Sequence, residues 1–213
     1  MQVLQKLPWP PSSVGEDIGK MYFRSSHPVA WSPVFGLYDL GPSDIIDLST
    51  YFGALSLTSW CCHAGIDEVV IRIKLSGSAK IRIVWFKPDQ TQEILSETVT
   101  VNNLFSEENW TEIVLGNLSG KQGILYPVIT VLEEKTNFEA LEYATTQAPR
   151  SEVRMAIIMP TFKREVFVRR NLDEISKILP EYKGSPDRLD FHFNIIIAKE
   201  KMGEATGIIQ CFQ

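Results

Sequence analysis

The stretch from Glu68 to Phe86 reads EVVIRIKLSGSAKIRIVWF, and it holds the clearest local pattern in the chain. Apolar residues alternate with polar or basic residues on both sides of Ser76-Gly77-Ser78-Ala79. Alternation with a period of two is typical of a β-strand that buries one face. Four small residues between two such arms predict a turn. We therefore expect a β-hairpin whose basic side chains face solvent.

Short segments of strand character flank this hairpin on both sides, and turn residues separate them. This spacing, without a convincing helix, indicates an antiparallel β-sandwich of jelly-roll-like type. Pro127 places the last of these strands at a sheet edge or a bulge, because proline has no backbone N–H to donate. The predicted strands are residues 18–23, 34–40, 94–101, 110–115 and 125–132.

The two ends of this predicted sandwich look different from its middle. Residues 1 to 15 are rich in proline and predict an extended arm, which Trp9 could fasten to the surface. Residues 133–150 are polar and mixed, and they predict a domain boundary. We expect a β-sandwich domain at 1–150 and a second portion at 151–213.

A second informative stretch, from Val153 to Leu179, reads VRMAIIMPTFKREVFVRRNLDEISKIL. Its apolar run, Met155 to Met159, has strand character, and Pro160 is expected to end it. An amphipathic helix follows, with Val168, Leu172, Ile175 and Leu179 on one face. Residues 189–197 form a second predicted strand, which completes a βαβ unit. In such units anionic ligands bind beyond the first strand, near the helix N-terminus. The alternative is a βα unit with a solvated basic turn and no ligand.

These stretches also resemble a known family. MAIIMPTFKREVFVRRNL resembles the first strand and helix of family-2 glycosyltransferases with the GT-A fold. DLSTYFGALSLTSW (47–60) and GIDEVVIRIKLSG (65–77) resemble the N-terminal sandwich of the galactofuranosyltransferase-like subgroup. The resemblance implies a mainly β protein whose residues 151–213 are an incomplete start of a GT-A domain. It also implies a role in making cell-surface polysaccharide.

The same resemblance implies a ligand set. The full-length family uses a UDP-sugar donor, a glycan acceptor and a divalent metal, Mn or Mg. By position, Pro160, Thr161 and Arg164 match the turn that lies against the nucleotide in that family. The Asp-x-Asp metal motif of the family does not occur in this sequence. We therefore expect no catalytic residues and no activity from this chain.

A second hypothesis is a non-catalytic β-sandwich module that binds carbohydrate or mediates oligomerisation. Trp60 and Trp110 lie near predicted turns and are the candidates for stacking against sugar rings. Burial of these rings in a core or under a loop is the alternative. An open α/β sheet edge would also favour self-association.

Composition and charge restrict the function further. The net charge of −5 and the pI near 5.3 disfavour nucleic-acid binding, which needs a basic surface. No apolar run approaches the ~20 residues of a membrane span. The first residues contain an early lysine and prolines, so they do not predict a signal peptide. We expect a cytoplasmic protein, and peripheral binding to the inner face of the membrane stays open.

The three cysteines do not predict a disulfide framework, because two of them are the neighbours Cys61 and Cys62. Cys61-Cys62-His63 could suggest a metal site. Adjacent side chains on an extended chain point to opposite faces, however, so these three cannot converge on one ion.

Overall fold

A computed structural model of the 213-residue chain shows two compact units, Met1–Arg150 and Ser151–Gln213. The structure describes residues 1–11, 19–102, 110–133, 135–150, 154–161, 166, 169–171, 173, 192–201 and 204–210.

The first unit is mainly β, as the sequence predicts, and the eleven strands that the structure describes in it form one curled antiparallel sheet. A π-helical segment, Thr58–His63, lies between the sixth and seventh strands. The strands are β1 (Gln2–Lys6), β2 (Arg24–Ser25), β3 (Ala30–Ser32), β4 (Gly36–Leu40), β5 (Ile45–Asp47), β6 (Leu55–Ser56), β7 (Val69–Phe86), β8 (Gln92–Asn102), β9 (Trp110–Leu115), β10 (Ile124–Val131) and β11 (Thr136–Thr145).

The hairpin predicted at Glu68 to Phe86 is wrong, because β7 runs unbroken through the whole stretch. Its first half pairs with β9 and β11, and its second half pairs with β8 and β10. The expected turn residues are paired and buried instead: Ser76 lies opposite Asn137, and Ser78 lies opposite Val101. Gly77 has a φ of 100° at the point where β7 passes from one set of partners to the other.

β7 therefore belongs to two layers. Layer one contains β9, the first half of β7, β11, β1, β4 and β3, and layer two contains β8, the second half of β7, β10, β5, β6 and β2. The hydroxyl of Tyr143 in layer one donates to the carbonyl oxygens of Gly53 at 2.7 Å and Leu125 at 3.3 Å, and Leu125 lies in layer two. The inward side chains of β7, among them Ile71, Ile81 and Ile83, are fully buried.

The two ends of the first unit differ from their predictions. The N-terminal residues are not an extended arm, because β1 pairs with β11. Trp9 does fasten this segment: its Nε1 donates to the carbonyl oxygen of Glu139 at 2.9 Å, and its ring packs edge-on against Phe138. Residues 133–150 contain β11, which lies inside layer one rather than in a linker. A register shift between Phe138 and Ala140 interrupts the period-two pattern and hides this strand in the sequence.

Pro127 lies in a central strand, not at an edge, because β10 has β7 on one side and β5 and β6 on the other. Its carbonyl oxygen accepts from Leu48 N at 3.2 Å. In an antiparallel strand the N atom of a residue points to the same side as its carbonyl. The pairing of β10 with β5 stops at Val128 and its pairing with β6 stops at Leu125, so the missing N–H of Pro127 falls in the gap between these two strands.

The strand predicted at 18–23 is wrong for residues 19–23, which form a turn.

The second unit contains a parallel pair, β12 (Arg154–Thr161) and β13 (His192–Lys201), as the strand pattern predicts. Pro160 does not end β12, because it pairs with Ala198. β14 (Glu204–Gln210) adds to β13 in the antiparallel sense. Residues 166, 169–171 and 173 are helical, and the apolar positions predicted for this helix (168, 172, 175 and 179) lie outside the described residues. Within the described part of the chain, no helix has the length and hydropathy to cross a membrane.

Candidate functional site

The two tryptophans proposed for sugar stacking are not freely displayed. Trp60 lies in the π-helical segment and is 8 % exposed, so little of its side chain is open to solvent. Trp110 begins β9, and the guanidinium of Arg72 lies 4.6 Å from its ring centroid. The same guanidinium is held by Glu112 and Glu142, each at 2.9 Å, so the cation is fixed over the indole. Sugar binding by either ring stays a prediction.

The residues proposed for nucleotide binding belong to the second unit. Pro160 and Thr161 are the last two residues of β12 and pair with Ala198 and Lys199. Arg164 lies outside the described residues. Their role in nucleotide binding stays a prediction.

The Cys61-Cys62-His63 segment forms part of the π-helical turn. Burial, together with the negative charges of Asp67 and Cys62, raises the pKa of the Cys61 thiol to about 11. A thiol that stays protonated is a poor metal ligand and a poor nucleophile. Among the residues that the structure describes, no cluster of His, Cys, Asp and Glu is arranged to hold a metal ion.

A surface groove of about 400 Å³ offers a better candidate. We call it the aromatic groove. Its two sides come from the turn between β3 and β4 and from the start of β11. Its lining combines apolar, aromatic and oxygen-bearing side chains: Val34, Phe35, Tyr38, Asp39, Asn137 and Glu139.

The turn between β3 and β4 presents an aromatic ring to solvent. The hydroxyl of Ser32 accepts from Val34 N at 3.2 Å and from Phe35 N at 3.4 Å, which closes the turn. Gly36 has a φ of 76°, and a Cβ added there would lie 2.3 Å from the carbonyl oxygen of Phe138. Glycine is therefore required for this close approach. As a result Phe35 stands at the tip, 68 % exposed.

The polar side of the aromatic groove is tied to the sheet. Asn137 Oδ1 accepts from Asp39 N at 3.1 Å, which connects β11 to β4 where their regular pairing is interrupted. Lys74 Nζ binds Glu139 Oε2 at 2.8 Å and orients that carboxylate. The carboxylate of Asp39 forms no ion pair with any residue that the structure describes. The groove thus displays carboxylate oxygens and an amide beside two aromatic rings.

The sequence contains only half of the signal for this groove. An aromatic residue between Pro33 and Gly36 falls in a turn, where a large apolar ring is expected to be exposed. Nothing local connects this turn to Asn137, which is 98 residues from Asp39.

Comparisons with known proteins gave matches only among solved structures. No family model and no curated protein matches the sequence. A carbohydrate-binding module of Cellvibrio mixtus lichenase 5A, solved with cellotriose, is 12% identical, with a TM-score of 0.34, over 68% of this chain and 99% of that one. The C-terminal family 22 carbohydrate-binding module of Clostridium thermocellum Xyn10B is 11% identical, with a TM-score of 0.37, over 69% and 96%.

A third match is a family 43 arabinoxylan arabinofuranohydrolase from Bacillus subtilis, solved with cellotetraose. It is 16% identical, with a TM-score of 0.29, and the match covers 51% of this chain and 21% of that one.

The prediction of a galactofuranosyltransferase-like GT-A enzyme is wrong, because the matched structures are carbohydrate-binding modules and a glycoside hydrolase. A UDP-sugar ligand and self-association have no support in these comparisons. The second interpretation of the sequence, a β-sandwich module, agrees in its fold with the two-layered sheet of the first unit.

Proposed function

We propose that the first unit is a non-catalytic carbohydrate-binding module and that the aromatic groove is its ligand site. The observation that carries the proposal is the position of Phe35. Its ring is 68 % exposed at the tip of a closed turn, and it borders a concave surface that contains Asp39, Asn137 and Glu139.

A sugar has two kinds of surface, and the groove offers a partner for each. The C–H groups of a pyranose ring are apolar and pack against an aromatic face. Phe35 and Tyr38 supply two such rings on one side of the groove. Burial of an exposed aromatic side chain is worth about 1.5–3 kcal/mol, so Phe35 alone can account for much of a weak binding free energy.

The hydroxyl groups of a sugar need hydrogen-bond partners that fix its orientation. Carboxylates accept from hydroxyls, and such charge-assisted bonds are stronger than neutral ones. The carboxylate of Glu139 is oriented by Lys74, and Asn137 is held by Asp39 N, so these groups are positioned before a ligand arrives. Preorganisation of this kind lowers the entropic cost of binding.

The size of the groove also agrees with the proposal. Its volume of about 400 Å³ lies within the range of small-ligand sites, roughly 300–1,000 Å³. It is open to solvent, so a chain of sugars can extend beyond it.

The test uses the full chain in a glycan-array screen, followed by titration calorimetry with the strongest neutral oligosaccharide. Phe35→Ala should weaken binding by about tenfold or more, the equivalent of at least 1.4 kcal/mol. Tyr51→Ala is the matched control, because Tyr51 is 77 % exposed and does not line the groove. Trp110→Ala tests the earlier prediction in the same experiment.

Two results would contradict the proposal. One is the absence of binding to any neutral glycan by the folded chain. The other is unchanged affinity in Phe35→Ala with a loss in Trp110→Ala, which would move the site to β9.

A further inference from the structure

We propose that the first unit has a second site, which binds a sugar that carries an anionic group such as a carboxylate. The site is a cleft of about 490 Å³ formed by the chain around β2 and by β3. We call it the basic cleft. Its lining residues are Gly19, Lys20, Phe23, Arg24, Ser25, Ser26, His27, Pro28, Val29 and Trp31.

Basic side chains line this cleft. Lys20, Arg24 and His27 are among its lining residues, and none of the lining residues that the structure describes is acidic. Arg24 forms no ion pair with any residue in the described ranges. A guanidinium presents several donors in a planar fork that matches a carboxylate, so an incoming anion would find a partner here.

Two acidic residues near the cleft, Asp44 and Asp47, already have hydrogen-bond partners. His27 Nδ1 lies 2.9 Å from Asp44 Oδ1, while Asp44 Oδ2 accepts from Gly41 N at 2.8 Å. Asp47 lies opposite Arg24 in the strand register, but its Oδ1 accepts from Ser49 N at 2.7 Å. Neither carboxylate forms an ion pair with the guanidinium of Arg24.

The walls of the cleft suit a sugar ring rather than a bare ion. Trp31 is half-buried, and Pro28 and Val29 add apolar surface beside it. A free inorganic anion would use the cationic side chains and leave these walls without a partner. An acidic sugar would use both, because its ring packs on the apolar surface while its charged group reaches Arg24.

The backbone holds the cationic residues in place. β2 pairs with β5, and Ser26 N donates to the carbonyl oxygen of Ile45 at 3.0 Å. The hydroxyl of Ser26 accepts from Ile45 N at 2.9 Å. These bonds fix the chain on both sides of Ser25, so the basic cleft does not need to fold around its ligand.

The two sites therefore differ in charge. The aromatic groove carries the carboxylates of Asp39 and Glu139, which repel an anionic sugar, whereas the basic cleft attracts one. The inference does not depend on the proposed function, because it concerns different residues and a different class of sugar.

The test is an NMR titration of the full chain with glucuronic acid, with glucose and with inorganic phosphate. We expect glucuronic acid to bind at least tenfold more tightly than the other two probes, and added salt to weaken that binding. Arg24→Gln keeps the size of the side chain and removes its charge. It should weaken glucuronic acid binding by about tenfold, since a charge-assisted hydrogen bond is lost. Arg82→Gln, on β7 outside the cleft, is the matched control and should have no effect.

Equal affinity for glucose and glucuronic acid would overturn the inference, and so would an unchanged affinity in Arg24→Gln. Phosphate binding as tight as that of glucuronic acid would overturn the part that concerns the sugar ring. Phe35→Ala should leave glucuronic acid binding unchanged. A chain that binds neutral glycans in the aromatic groove and ignores glucuronic acid would overturn this inference alone.

Discussion

Gly77 is the residue whose substitution tests the architecture of the first unit most directly. It lies in the middle of β7 with a φ of 100°, a conformation that costs an alanine roughly 1–2 kcal/mol. A Cβ at this position would lie 2.4 Å from Thr136 Oγ1 and 3.0 Å from Thr136 Cα. Overpacking of this kind adds about 1–3 kcal/mol. We therefore expect Gly77→Ala to lower the free energy of unfolding by about 2–5 kcal/mol.

Two other glycines separate the two causes. Gly120 has a φ of 73° but no atom within 4 Å of an added Cβ, so Gly120→Ala reports backbone strain alone. Gly116 has neither the positive φ nor a close neighbour, and Gly116→Ala should be neutral or stabilise by about 0.4–1 kcal/mol. The expected order of stability is Gly116→Ala, then Gly120→Ala, then Gly77→Ala.

The assay is urea unfolding followed by tryptophan fluorescence. All five tryptophans lie in the first unit, at positions 9, 31, 60, 85 and 110, so the signal reports that unit only. A fall in the midpoint at constant slope measures the loss of stability. If Gly77→Ala were no less stable than Gly120→Ala, the close contact with Thr136 would not exist, and the passage of β7 between two layers would be wrong.

Two further predictions concern buried groups. Tyr143→Phe removes the hydroxyl that donates to the carbonyl oxygens of Gly53 and Leu125. It should lower the free energy of unfolding by about 1–3 kcal/mol in the same urea assay. An unchanged midpoint would contradict the hydrogen bond. The pKa of Cys61 is raised from 9.0 to about 11, so the folded state favours its protonated thiol. The stability that this shift contributes is complete below pH 9 and falls as the pH rises from 9 to 11. In native protein at pH 8.5, iodoacetamide should therefore leave Cys61 unmodified, as peptide mass mapping can check; rapid alkylation would show that the thiol is accessible and ionised.

The strands of the first unit could be predicted where their pairing leaves a local signal. β9 and β10 are rich in β-branched and aromatic residues, and their observed bounds fall within one residue of the predicted ones at each end. The path of β7 could not be predicted in the same way. Whether Ser76-Gly77-Ser78 turns or continues depends on Asn137 and Val101, which lie far away in the sequence. Small residues that mark a turn when they are exposed can also mark a crowded point inside a sheet.

The candidate sites show a similar limit. Aromatic residues attract attention in a sequence, but their exposure decides whether they can bind, and exposure is a tertiary property. Trp60 is buried, whereas Phe35, which the sequence analysis did not single out, is displayed by a glycine-dependent turn. The parallel pairing of β12 with β13 was predicted correctly, yet the same stretch suggested the wrong family. A strand pattern constrains pairing far more tightly than it constrains chemistry.

The eighteen residues of β7 also decide how this protein can be divided. A cut between Ser76 and Ala79 would deprive each fragment of a central strand, so neither layer could be expressed alone. A break in the chain between β7 and β8, at 87–91, would leave every strand that the structure describes intact. Since both layers share β7, and its partners β10 and β11 are distant in sequence, we expect the first unit to fold in a single cooperative step on the scale of about milliseconds to seconds.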